Sequence, residues 1–163
     1  MPFDSISAGF GIRENDDVGT PDLLLQHFKE KYRLDFDPCP LGGLLGGEDG
    51  LHSDWGDRSF VNPPYSRTAN WVKKAVYESQ LGKFVCLLIP WRSNSSYWQK
   101  FVLPHASEIH LLNKITFKGY KRMCPMPMAV VIFDGIKGSK RRKRTIVKDS
   151  HLKKNYFAYY TLT

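Results

Sequence analysis

Phe60-Val61-Asn62-Pro63-Pro64-Tyr65-Ser66 reads as a buried strand that stops abruptly in a stiff, polar, aromatic-tipped loop. Proline fixes φ near −65°, lacks an N–H and pushes the preceding residue towards extended geometry, so two in a row end a sheet ladder. Residues 67–81 follow with Ala69, Trp71, Val72, Ala75 and Val76 on or near one helical face, and Gly82 as the stop. Phe84-Val85-Cys86-Leu87-Leu88-Ile89 is then an unbroken apolar run, the pattern of a strand covered on both faces. Strand, helix, strand in this order implies an α/β fold. Ligands of open α/β sheets bind just past the carboxyl ends of strands, where Asn62 sits.

Working outward, Thr20-Pro21-Asp22 is a helix start: threonine as cap, proline at the first helical position, an acid in the first turn. Leu25, Phe28 and Tyr32 share a face with Leu24 beside it, and the helix should end near Arg33. Leu34 to Asp37 alternates like a short strand halted by Pro38-Cys39-Pro40. Residues 41–50 are glycine-rich and Leu51 to Asp57 turns around Trp55. Beyond the central run, a loop at Pro90 to Ser93, a short helix over 95–103, strands at 109–112, 115–117 and 129–133, and a Pro/Met/Lys loop at 118–127 are expected.

The 163 residues, 42% of them hydrophobic, suit one domain over 1–163, with a loose arm at 1–19 and a basic extension at 137–163. No stretch approaches a membrane span, and no secretory signal is visible. Cys39, Cys86 and Cys124 are odd in number and far apart, which fits reduced thiols in a cytoplasmic compartment; no cluster with histidine has metal-ligand spacing, so no metal is expected. The net charge of +8 is uneven. Residues 1–136 hold 15 basic and 15 acidic side chains, whereas 137–163 hold nine Lys and Arg against Asp149. A neutral body with one basic segment is built to meet a polyanion. The basic run is also a possible nuclear address in a eukaryotic host.

The loop at Asn62 suits a particular difficulty. The exocyclic amine of a nucleobase is a poor nucleophile because its lone pair is delocalised into the ring. Two acceptors aimed at its hydrogens, the Asn62 side-chain oxygen and the Pro63 carbonyl, favour the pyramidal, reactive form. Tyr65 would stack on the base, and Ser66 would bond a phosphate or cap the next helix. Against this stand an ordinary turn, or a polyproline ligand for a partner domain.

Thr20-Pro21, Asp37-Pro38-Cys39, Gly50-Leu51, Asp54-Trp55, Asn62-Pro63-Pro64-Tyr65-Ser66, Trp71 to Ala75, Leu87 to Pro90, Ile115-Thr116-Phe117 and Val130 to Phe133 occur in an order that resembles the phage-type DNA adenine-N6 methyltransferase family. The resemblance implies a Rossmann-like methyltransferase sheet, mostly parallel with an antiparallel C-terminal strand and helices on both faces. It also implies S-adenosylmethionine as cofactor and DNA as partner. Asn62, Pro63 and Tyr65 would hold the adenine and Pro64 would shape the loop. Thr20, Pro21, Asp37, Pro38, Cys39, Asp54 and Trp55 would meet the cofactor, and Phe117 would be a second wall for a flipped base. Ser66, Arg92, Lys114 and the run Lys140-Arg141-Arg142-Lys143-Arg144 are the remaining candidate DNA contacts. Two departures stand out: the glycines at 42–47 are not cleanly spaced after a first strand, and Asp37 to Asn62 is short for the usual second and third strands. Alternatives are transfer to RNA adenine, to a cytosine amine or to a glutamine amide, an inactive nucleic-acid-binding relative, and a module docking through Tyr156 to Tyr160.

Overall fold

A computed structural model describes residues 18–44, 46–47, 49–112, 114–136, 146–147 and 161–162. The apolar runs become the centre of a sheet. Its strands are β1 (Arg58–Val61), β2 (Phe84–Pro90), β3 (Glu108–Leu112), β4 (Met128–Asp134), β5 (Ile146–Val147) and β6 (Thr161–Leu162), in the order β1-β2-β4-β3-β6-β5. Every residue of β2 and β4 is buried, as unbroken apolar runs require.

Residues alternate between two cores. Phe84, Cys86 and Leu88 pack with Leu24 and Phe28 of α1 (Asp22–Tyr32) on one face. Val85, Leu87 and Ile89 pack with Trp71, Val72, Ala75 and Val76 of α2 (Thr68–Gln80) on the other. A π-turn, Trp98–Val102, runs into the short α3 (Leu103–His105), and the Trp98 indole donates to the Pro90 carbonyl at 3.0 Å, tying this segment to the end of β2.

The sheet is mixed, which corrects the expectation of a mostly parallel one. Among the described strands only β1 and β2 pair in parallel; β4 runs antiparallel to both β2 and β3, and β6 antiparallel to both β3 and β5. No helix lies among the described residues between β3 and β4, and a return without a crossover brings a strand back antiparallel. The stretch 34–37 contributes a single parallel bridge, Phe36 to Ser59, flanking β1. Ile115 and Phe117 are buried but form no strand: the Ile115 carbonyl accepts from the Cys124 N–H at 2.6 Å, a bond to a loop. The helix start also shifts by one residue. Pro21, at φ −56° and ψ 133°, takes the cap position of α1 with no side-chain cap, and Arg33, at φ 53°, closes the helix. The end of the expected loose arm is docked, with Val18 in the core and Gly19 bridged to Lys118. Residues 1–17 and the stretch Tyr156 to Tyr160 lie outside the described residues. No described helix is long and apolar enough to cross a membrane.

Glu78 is the most deeply buried carboxylate among the described residues. Its side chain is fully buried between Lys74 and Lys83, each 2.6 Å away, and Lys83 also donates to the Trp55 carbonyl at 2.6 Å. Removing one partner strands the others, so Glu78→Ala is expected to cost about 3–5 kcal/mol in urea unfolding. A loss below about 1 kcal/mol, the worth of a surface pair, would show the charges to be solvated.

At the far side of the sheet Glu108 takes the Tyr32 hydroxyl at 2.6 Å and lies 3.0 Å from buried His110. Burial raises the pKa of both glutamates, yet the bonds from Lys74 and Lys83 to Glu78, and from His110 and Tyr32 to Glu108, outweigh it and hold each below the ordinary 4.5. A depressed carboxylate stabilises the fold above its unfolded pKa and loses that contribution as pH falls through the folded value. Thermal stability should therefore fall below about pH 4.5, and Glu78→Gln should flatten that fall. An unchanged pH profile in this variant would contradict the assignment.

Candidate active site

The chain segment at Phe36, β1 and β2 run in the same direction, so the loops that leave them emerge at one edge of the sheet. Those loops carry Asp37-Pro38-Cys39, Asn62-Pro63-Pro64-Tyr65 and Trp91-Arg92. β1 ends at Val61 because the prolines offer no N–H to continue the ladder. A tight turn over Tyr65–Arg67 follows, closed by the Arg67 N–H on the Pro64 carbonyl at 3.1 Å and by the Thr68 hydroxyl on the Tyr65 carbonyl at 2.9 Å.

Asn62 is half-buried. Its amide nitrogen donates to the Val18 carbonyl at 2.6 Å, and the Tyr65 hydroxyl reaches its oxygen at 3.4 Å. Tyr65 is backed by Phe117, ring centroids 5.9 Å apart and tilted by 56°. A cavity of about 160 Å³ opens beside Asn62 and is lined in part by Gly19, Thr20, Asp37, Cys39 and Lys118. Asp37 folds its own loop, its carboxylate accepting the Cys39 N–H at 2.8 Å.

A second, wider depression of about 580 Å³ is lined by Asp49, His52, Ser53 and Asp54. The Leu51 N–H, then His52 and Arg67, hold the Asp49 carboxyl below the ordinary range against a smaller opposing effect of burial. The loops bearing the two hollows touch at Gly50: a Cβ there would lie 2.0 Å from the Pro38 carbonyl oxygen and 2.9 Å from Trp71.

Four residues separated by up to 42 positions, Thr20, Asp37, Cys39 and Asn62, thus share one cavity. Pro38 is buried beneath them, and Pro21 sits at the cap of α1 next to Thr20. Asp54 lines the wider hollow, whereas Trp55 is only 3% exposed, with its indole N–H on the Gly50 carbonyl at 2.7 Å and its ring stacked on Trp71. Trp55 shapes the loop from below. Phe117, 1% exposed, likewise supports Tyr65 from inside the core. Ser66 is exposed, and α2 has no side-chain cap. Arg92 is half-buried with its guanidinium 3.4 Å from the Met126 sulfur, and Lys114 is exposed. Lys140 to Arg144 lie outside the described residues.

Sequence reasoning missed Val18, Gly19 and Lys118. The Lys118 N–H donates to the Gly19 carbonyl at 2.8 Å and its ammonium pairs with Asp22 at 2.9 Å. The only local signal was position: Val18 and Gly19 directly precede Thr20, and Lys118 directly follows Phe117.

The family model described as DNA N-6-adenine-methyltransferase (Dam) matches residues 44–146, well over half of the chain. No curated protein matches the chain. No solved structure matches it either.

Proposed function

Because the chain belongs to the DNA N-6-adenine-methyltransferase (Dam) family, we propose that it transfers a methyl group from S-adenosylmethionine to the exocyclic amine of an adenine flipped out of DNA. The observation that carries this reading is Asn62, at the end of β1, with its amide nitrogen tied back to Val18 beside a cavity that also takes in Thr20, Asp37 and Cys39. A Rossmann-like reading of the sheet is supported by the parallel β1-α2-β2 unit, whose carboxyl-end edge bears these loops.

The residues present fit the cofactor. Asp37 and Lys118 offer opposite charges to an ammonium and a carboxylate, Thr20 adds a hydroxyl, and the depression at Asp54 has room for an adenosine. When bound, S-adenosylmethionine supplies a methyl group on a sulfonium, already a good leaving group.

The chain's work is orientation. The Asn62 oxygen and the Pro63 carbonyl accept the two amine hydrogens and direct the nitrogen lone pair towards the donor side. Tyr65, backed by Phe117, stacks on the base, a contact worth about 1–3 kcal/mol. The amine must leave the duplex stack to be reached. Its proton becomes acidic only after attack, so it departs without a strong base. Preset dipoles and alignment supply most of the rate.

Methyl-labelled S-adenosylmethionine with matched DNA and RNA oligonucleotides tests the acceptor: label should enter DNA. Label in RNA alone would move the activity to the other polymer. The basic segment would contact phosphate. Deleting 137–154 should weaken DNA binding and flatten its salt dependence, by roughly 0.9 logarithmic units for each phosphate no longer neutralised. Unchanged affinity and slope would remove that role.

A further inference from the structure

A side-chain amide has two ends of similar shape and opposite polarity, and its terminal torsion is soft. An amide meant to accept hydrogens from an amine is useful only if its oxygen end is held outward. In this chain the donor end of Asn62 is occupied by the Val18 carbonyl at 2.6 Å. Turning the amide over would set two oxygens at that distance. The Tyr65 hydroxyl, at 3.4 Å from the Asn62 oxygen, is beyond the usual 2.5–3.0 Å of a good O–H···O bond and leaves most of that oxygen's accepting capacity unspent.

Val18 is itself fixed from two sides. Its side chain is 5% exposed in the core that contains Phe60. The next residue, Gly19, accepts the Lys118 N–H at 2.8 Å, and its Cα lies so near that an added Cβ would meet the Lys118 Cβ at 2.9 Å and the Leu41 side chain at 3.2 Å. Lys118 then reaches Asp22 at 2.9 Å, but both partners are well exposed and that pair adds little. The backbone bridge, 99 positions apart in the chain, is the fastening.

We infer that Val18 to Thr20 form the positioning element of the Asn62 amide, and that the Gly19–Lys118 bridge clamps this element in place. The inference rests on the proposed transfer for its purpose but on the geometry for its substance. It makes Asn62 distinct from an acid of the same shape: a carboxylate has no hydrogen to give Val18 and would repel its carbonyl.

The test is exchange of the Asn62 side-chain NH₂ protons, observed in ¹⁵N-labelled full-length protein and assigned by their disappearance in Asn62→Ala. The hydrogen bonded to the Val18 carbonyl should exchange about tenfold more slowly than those of exposed Asn70 and Asn94, the scale set by one hydrogen bond. Lys118→Pro, which removes the bridging N–H, and Gly19→Val, which forces the two chains apart, should each abolish that protection. Asn62→Asp should speed exchange of the Lys118 backbone amide by about tenfold, more than Asn62→Ala does. Asn62 protons exchanging as fast as those of Asn70, or protection that survives both clamp variants with folded circular dichroism spectra, would overturn the inference. These readouts need no turnover. A protein that exchanges as expected but transfers no methyl group would refute the proposed function and leave the clamp standing.

Discussion

Replacing Asn62 by alanine is expected to lower kcat by about 10²–10³-fold, the usual cost of deleting one preset dipole at a reacting centre. The change deletes the donor to Val18 and, on the proposed reading, an acceptor for the amine. It leaves Thr20, Asp37 and Cys39, which face the same cavity, in place. Affinity for S-adenosylmethionine should therefore stay within about threefold of the parent, the pattern of an interaction used in the transition state rather than in ground-state binding. Calorimetry alongside single-turnover kinetics separates the two quantities. Near-normal turnover would remove Asn62 from the chemistry, whereas cofactor binding that fell in parallel would place it in the cofactor site.

Gly50→Ala should show the opposite split. The added methyl would lie 2.0 Å from the Pro38 carbonyl oxygen, a backbone atom that cannot swing aside as a side-chain tip can. Overpacking of this kind costs about 1–3 kcal/mol and is relieved by backbone movement. Here the backbone that must move carries Asp37 and Cys39 on one side and the Asp49 to Asp54 loop on the other. Cofactor affinity should fall by about 5- to 150-fold, the same 1–3 kcal/mol expressed as binding. Gly135→Ala is the control, since its methyl would meet the Ser79 carbonyl at 1.9 Å and the Lys83 carbonyl at 2.7 Å, just past the end of β4, and none of these residues lines either hollow. It should destabilise the fold and leave cofactor affinity alone. Equal loss of affinity in the two variants would show that general loosening, rather than the meeting of the two loops, is responsible.

Much of this arrangement was legible because it is local. Two apolar runs around an amphipathic helix state a β-α-β unit, and two prolines after Asn62 state where β1 stops. Asp37 and Cys39 leave the sheet at the same edge as Asn62 because Phe36 bridges β1 in parallel. What escaped is what sequence does not encode locally. A strand buried on both faces, such as β4, reads the same in either direction, so its apolar run alone does not show its reversal between β2 and β3. Ile115-Thr116-Phe117 alternates like a strand, but its backbone partner is a loop. Trp55 and Phe117 are aromatic residues beside a site, and composition alone does not tell a supporting ring from an exposed wall; burial does. The holder of the Asn62 amide is a carbonyl 44 positions away, and no side-chain pattern marks a carbonyl.

Of all these measurements, the most direct is the fate of the methyl group. Full-length protein incubated with methyl-labelled S-adenosylmethionine and unmethylated duplex DNA, followed by digestion to nucleosides, should yield label in N6-methyladenine and in no other nucleoside. Label on the cytosine amine, or DNA left bare while the cofactor binds, would contradict the assignment of Asn62 to Tyr65 as the grip on adenine.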